Sequence, residues 1–250
     1  MSQIKAVLWD VDGTLLDFLA SEKAAIKKLF GVYGLGECTD EMIAEYSAIN
    51  VRWWEMLERG EKTKPEILVG RFAEFFASRG IDTSVAPAFN AEYQVRLGDT
   101  IVFCPHALET VQTLQGKVLQ CAVTNGTKVA QTKKLAKSGL DRLLDPIFIS
   151  EDIGAEKPTQ AFFALVFETL RDIRPDEMLI VGDSLTSDMR GGVNTGIRTC
   201  WYNPRKKTAP ETLHLDYIIT DLAEVENIVL RRYNIALKEI YKIKSEEKEI

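Results

Sequence analysis

The chain has 250 residues, 46% of them hydrophobic and 27% charged, with a formal net charge of -6 at pH 7. That length buries one good core with room for a smaller second unit, and the composition is that of an ordinary globular protein. The acidic balance argues against nucleic acid as a partner, but a small phosphate ester remains open if local positive charge meets it.

The four cysteines, Cys38, Cys104, Cys121 and Cys200, are scattered and form no C-x-x-C pair. They suggest neither a disulfide framework nor a zinc site, and they suit a reducing compartment. His106 and His214 stand in no motif, so histidine triads and histidine-rich metal sites are poor readings. No signal peptide precedes the first strand and no apolar run approaches membrane-spanning length. The expectation is a cytoplasmic protein with no membrane partner, as a monomer or homodimer.

The first element is the apolar run Ile4 to Trp9, short and bounded by turn residues as a strand buried on both faces would be. It runs into Asp10-Val11-Asp12-Gly13-Thr14, which places two carboxylates on the loop at its carboxyl end, where open α/β sheets bind ligands. Like charges so close need a cation or a proton, although a plain Asp-Gly turn also accounts for the stretch alone. The next strand suited to a core sheet is Val118–Val123, much further on than a crossover helix requires. Between them lie helical patterns at Ser21–Tyr33 and Asp40–Glu58, a capping box at Thr63 and Glu66 opening a helix through Phe72, Phe75 and Phe76, and a fourth helix over Ser84–Leu97. Residues 17–98 therefore read as an inserted α-helical cap domain, with 1–16 and 99–250 as the core.

From Pro105 helix and strand alternate. Helices are expected at Pro105–Leu114, with Pro near its first position, at Lys128–Ser138 and at Thr159–Leu170, with Pro158 in the first turn of the last. Strands are expected at Pro146–Ser150, Met178–Val181, Arg198–Tyr202 and Tyr217–Ile219. The fold class is thus α/β, a doubly wound Rossmann-like parallel sheet carrying the helical insertion. A last helical stripe runs through Val225, Val229, Tyr233, Leu237 and Ile240, and the charged residues 245–250 read as a frayed end.

Chemistry-bearing residues gather where strands end or helices begin. Thr124 and Asn125 follow one strand, Lys157 precedes a helix, and Asp183 ends another strand with Asp188 beyond it. Each has an ordinary structural reading as turn, surface lysine or cap. Their convergence at the sheet ends is what those readings leave unexplained.

Asp10 to Thr14, Thr124-Asn125-Gly126, Lys157-Pro158 and Gly182-Asp183 through Asp188 resemble, in order, the four motifs of the haloacid dehalogenase-like hydrolases. The stretches Tyr46 to Asn50 with Trp54, Gly70-Arg71-Phe72 and Ile149 to Pro158 are similar to the bacterial 5'-nucleotidases acting on pyrimidine nucleotides. The resemblance implies a Mg²⁺-dependent phosphomonoesterase. Asp10 would be the nucleophile and Asp12 the acid and base, with Lys157 offsetting charge and Thr124 and Asn125 holding phosphoryl oxygens. Mg²⁺ would sit on Asp10, the Asp12 carbonyl and Asp183, with Asp188 orienting its water. Asn50, Trp54 and Arg71 would face the substrate, a small phosphorylated metabolite of the nucleoside monophosphate class, although simple packing of the cap helices accounts for them as well. Asp12 sets the chain apart from dehalogenases, which need no acid for a halide. Sugar-phosphate phosphatase, phosphomutase and non-catalytic binding protein are the competing readings.

Overall fold

Residues 2–230 are described by a computed structural model. Its sheet has six parallel strands: Ala6–Trp9 (β1), Leu119–Thr124 (β2), Ile147–Ile149 (β3), Met178–Gly182 (β4), Arg198–Tyr202 (β5) and Tyr217–Ile219 (β6), in the order β3-β2-β1-β4-β5-β6. β1 pairs in parallel with β2 and β4, placing Leu8 between Cys121 and Ile180. The chain winds outward from β1 in one direction, then crosses back to β4 and winds outward in the other. The carboxyl ends of β1 and β4 therefore flank the point where the topology reverses and a crevice opens.

Successive side chains of each strand point to opposite faces, so both faces are apolar. Val7 and Trp9 meet Val111 and Leu114 of helix Ala107–Leu114 (α5, the first helix after the four of the insertion) and Leu135 of Lys128–Ser138 (α6). Ala6 and Leu8 face Phe162, Phe163 and Val166 of Gln160–Thr169 (α8). Two short helices, Ser150–Ile153 (α7) and Arg190–Thr195 (α9), also belong to the core.

The insertion consists of Phe18–Val32 (α1), Asp40–Glu58 (α2), Lys64–Ser78 (α3) and Ala86–Arg96 (α4). Three of the four starts have a polar cause: the Asp17 carboxylate accepts from Ala20 N–H, the Thr39 hydroxyl from Met42 N–H, and Glu66 reaches back to Thr63 N–H at 2.8 Å. Capping by Asp17 begins α1 one turn earlier than the apolar spacing alone suggests. These helices close on their own aromatic core, in which Tyr46 stacks on Phe72 at 4.7 Å and Phe75, Phe76 and Phe89 are fully buried. Truncating one of those phenylalanines to Ala costs roughly 3–5 kcal/mol. The ends of the insertion meet: Leu16 bridges Phe103 antiparallel, and Asp17 N–H donates to the Val102 carbonyl at 2.8 Å.

Three local expectations are corrected. Pro105 lies outside α5, because His106 takes a left-handed conformation (φ 59°) and the helix starts at Ala107. Pro158 precedes the Thr159 cap of α8 instead of entering its first turn. The strand expected to reach Ser150 stops at Ile149, where the chain turns into α7. Residues 224–230 are helical, with Val225 and Val229 buried in the core, while Tyr233, Leu237, Ile240 and the charged 245–250 end lie outside the described residues. No described helix is long and apolar enough to cross a membrane.

Candidate active site

β1 delivers Asp10 to the crevice, its backbone N–H still bonded to the Val181 carbonyl of β4 at 2.9 Å. One carboxylate oxygen of Asp10 accepts from the Thr14 hydroxyl at 3.0 Å and the other from Lys157 Nζ at 2.9 Å. Lys157 is 1% exposed, and its ammonium is fully occupied, also donating to Asp188 at 2.6 Å and to the Val123 carbonyl at 2.8 Å. One buried cation thus ties the ends of β1 and β2 to the loop after β4. Breaking such a pair leaves an unpaired buried charge, at a cost of about 3–5 kcal/mol.

Carboxylate oxygens of Asp10, Asp183 and Asp188 lie within 4.8 Å of one another. Burial and then the charge of Asp188 hold the Asp10 carboxyl well above its ordinary range, with Lys157 opposing and Asp183 adding to the rise. Burial works to lower the Lys157 ammonium, but the charges of Asp10 and Asp188 outweigh it and keep it protonated. Two glycines make this crowding possible. A Cβ on Gly13, whose φ is +90°, would stand 2.7 Å from an Asp183 carboxylate oxygen, and one on Gly182 would stand 2.2 Å from Asp188.

Thr124 ends β2 buried, its hydroxyl accepting from Gly126 N–H at 3.1 Å. The Asn125 side-chain amide bonds the Lys157 backbone at both ends, so its own polar atoms are taken up in fixing Lys157. The Asp12 carboxylate receives Lys134 Nζ at 2.6 Å on one oxygen and Gln131 Nε2 at 2.7 Å on the other. Thr14, Gln131 and Lys134 were not singled out from the sequence. Gln131 and Lys134 lie on the helix expected over Lys128–Ser138.

Of the two tryptophans on α2, Trp53 packs against Gly70, where an added Cβ would lie 2.3 Å from its ring, and bonds Glu74 at 2.8 Å. Trp54 is half-buried, with the Arg71 guanidinium 5.8 Å from its ring centre. Asn50 and Arg71 are buried inside the insertion. Asn50 donates to Glu22 at 2.9 Å and accepts from Arg71 at 2.6 Å. Arg71 continues to Asn90, which accepts from Gln94, and Gln94 accepts from Thr127 at the start of α6. Elsewhere the insertion touches the core through Lys64, which donates to Ser150 at 2.8 Å, and through Glu58, which accepts from Thr186. The Gln94, Lys64 and Glu58 contacts fall in or beside three of the motif stretches, while on α6 Lys133 donates to the Val95 carbonyl at 3.0 Å.

The profile of the haloacid dehalogenase-like hydrolases matches residues 7–202. The HAD-hydrolase YfnB of Bacillus subtilis is 34% identical over 92% of this chain and 97% of its own length. Its crystal structure, described as bound to magnesium and revealing interdomain movement, superposes with a TM-score of 0.86 over 91% of this chain and 99% of that one. The pyrimidine 5'-nucleotidase PynA of Streptococcus pneumoniae is 33% identical over 80% of this chain and 84% of its own length, and YjjG of Escherichia coli, also a pyrimidine 5'-nucleotidase, 27% over 90% and 97%. With its sheet order, its motif loops and these relatives in agreement, the chain belongs to the haloacid dehalogenase-like hydrolases.

Proposed function

We propose that this hydrolase is a Mg²⁺-dependent phosphomonoesterase that works through an aspartyl-phosphate on Asp10 and acts on pyrimidine nucleoside monophosphates. The observation that carries the reading is the Lys157 ammonium between Asp10 and Asp188, with Asp183 completing a carboxylate cluster. An all-oxygen set of this kind suits a hard cation, and Mg²⁺ would be held by the Asp10 and Asp183 carboxylates with the Asp12 carbonyl, while Asp188 would orient water beside it. When bound there, Mg²⁺ supplies charge neutralisation and polarises the phosphoryl group.

The residues divide the work as follows. An Asp10 oxygen attacks phosphorus, forming an acyl-phosphate bond as the bond to the leaving oxygen breaks. Asp12 gives its proton to that oxygen, releasing the alcohol. Water then attacks phosphorus, gives a proton to Asp12, and the Asp10–phosphorus bond breaks to release inorganic phosphate. Lys157 offsets the negative charge shared by Asp10 and the phosphoryl group, while the Thr124 hydroxyl and the backbone N–H of Asn125 hold phosphoryl oxygens. Asn125's side chain serves by holding Lys157.

The insertion acts as the cap that selects the substrate. Trp54 offers the base a stacking face, and Asn50 and Arg71 set the position of that face from within. Stacking alone gives any base roughly 1–3 kcal/mol, so cavity size has to separate pyrimidine from purine. The reading is tested by measuring phosphate release from pyrimidine and purine nucleoside monophosphates and sugar phosphates with Mg²⁺. UMP and dTMP are expected to lead. Equal turnover of purines, or faster turnover of sugar phosphates, overturns the substrate class. No release from any member overturns the phosphatase.

A further inference from the structure

Helix α6 carries two polar side chains with no exposure at all, Gln131 and Lys134, one turn apart. Residues at that spacing share a helix face, and here both reach the same carboxylate, one on each oxygen of Asp12. Asp12 is the only hydrogen-bond partner of the Lys134 ammonium among the described residues, and the Phe18 ring sits 5.0 Å from its nitrogen. A buried ion pair of this kind is weak support for stability, since apolar residues of similar volume often serve as well or better. The neighbouring loop is shaped around the arrangement. A Cβ at Gly126 would stand 2.0 Å from Gln131 Nε2, so any larger residue there would displace the amide from Asp12.

We propose that Lys134 and Gln131 are positioning residues, a two-point clamp that fixes the Asp12 carboxylate as the base aimed at the water that releases phosphate from Asp10. The inference rests on the acid–base reading of Asp12 given above. In the step concerned, the water oxygen bonds to phosphorus, the Asp10–phosphorus bond breaks, and the water proton passes to an Asp12 oxygen. A carboxylate gripped at both oxygens cannot rotate about its own bonds, and rate depends steeply on such alignment: an ångström of misplacement costs on the order of 100-fold.

p-Nitrophenyl phosphate separates the two halves of the reaction, because its leaving group departs with little help from an acid while the phospho-enzyme still needs a base. The experiment follows nitrophenolate release by rapid mixing with Mg²⁺ and measures acid-quenched phospho-enzyme, for the native protein, Lys134→Met, Gln131→Leu and Asp12→Asn. Gln131→Leu keeps the Lys134–Asp12 pair and so remains informative should Lys134→Met fold poorly. For both α6 variants the expected result is a retained burst, within about threefold of native in rate. The steady state that follows should be slower by on the order of 10- to 100-fold, with a larger fraction of sites phosphorylated. Adding Lys134→Met to Asp12→Asn is expected to slow the steady state no further. A burst slowed as much as the steady state, or a slower steady state without phospho-enzyme, overturns the clamp while leaving Asp12 in its role. If Asp12→Asn itself accumulates no phospho-enzyme, the acid–base reading falls and the clamp falls with it.

Discussion

Asn125 and Lys157 exchange two hydrogen bonds: Lys157 N–H donates to the Asn125 side-chain oxygen at 2.8 Å, and the Asn125 amide donates to the Lys157 carbonyl at 2.9 Å. The pair ties the loop after β2 to the loop before α8, and so determines where the Lys157 ammonium can reach. Asn125→Ala removes both bonds and leaves a buried N–H and a buried carbonyl without partners, a loss of about 1–3 kcal/mol for each group. Lys157 would then be less firmly held between Asp10 and Asp188. Urea unfolding is expected to show the stability loss and steady-state kinetics a fall in kcat of on the order of 10- to 100-fold. A stable variant with native kcat would show that Lys157 needs no such tether.

The metal reading is checked by binding as well as by turnover. EDTA is expected to abolish phosphate release and Mg²⁺ to restore it. Because a ligand that binds only the folded state stabilises it, Tm should also rise with Mg²⁺ concentration. Asp183→Asn removes one carboxylate of the cluster and should flatten that rise. Full turnover without metal, or an undiminished rise in Asp183→Asn, would contradict the assignment.

Glu22 provides a pH test inside the insertion. It is wholly buried, and desolvation lifts its carboxyl from 4.5 to about 7 against the hydrogen bond from Ser47 and the charge of Arg71. The folded protein therefore binds a proton more tightly than the unfolded chain does. This contribution to stability is fully present below about pH 4.5 and is lost as pH rises through about 7. Across that window it amounts to on the order of 3 kcal/mol. Urea unfolding in EDTA between pH 5 and 8 is expected to give a shallower decline for Glu22→Gln than for the native protein. Parallel declines would mean that Glu22 titrates alike in both states.

The adjacent tryptophans should separate cleanly. Trp53→Ala opens a cavity against Gly70 and releases Glu74, costing roughly 3–5 kcal/mol by thermal or urea unfolding. Trp54→Ala should lower kcat/KM for UMP by about 5- to 150-fold, the range that 1–3 kcal/mol of stacking supports, and p-nitrophenyl phosphate far less. Equal losses on both substrates would make Trp54 a packing residue like its neighbour.

The sequence was most legible where chemistry follows directly from chain position. Asp10, Thr124 and Asp183 each sit at or just after a buried strand, so the apolar pattern that identifies the strand also locates the side chain. Lys157 and Asp188 follow from the same logic one loop further on. Gln131 and Lys134 were not legible, because a helix rich in lysine looks solvated until the fold places the Asp12 loop against it. The inward face of Asn50 and Arg71 was hidden for a related reason. Their partners Glu22 and Asn90 lie on other helices, and only packing reveals that the polar atoms satisfy one another. Local conformation set the remaining differences, as with the left-handed His106 that delays α5.

Acid quench of the enzyme during turnover of UMP with Mg²⁺, followed by mass analysis of the peptide containing Asp10, tests the covalent mechanism most directly. The expected result is one phosphoryl group on Asp10, formed and lost fast enough to account for kcat, and absent in an Asp10→Asn protein that no longer turns over. A phosphoryl group on another residue, or substantial turnover by Asp10→Asn after controls for deamidation and contaminating phosphatase, would contradict it.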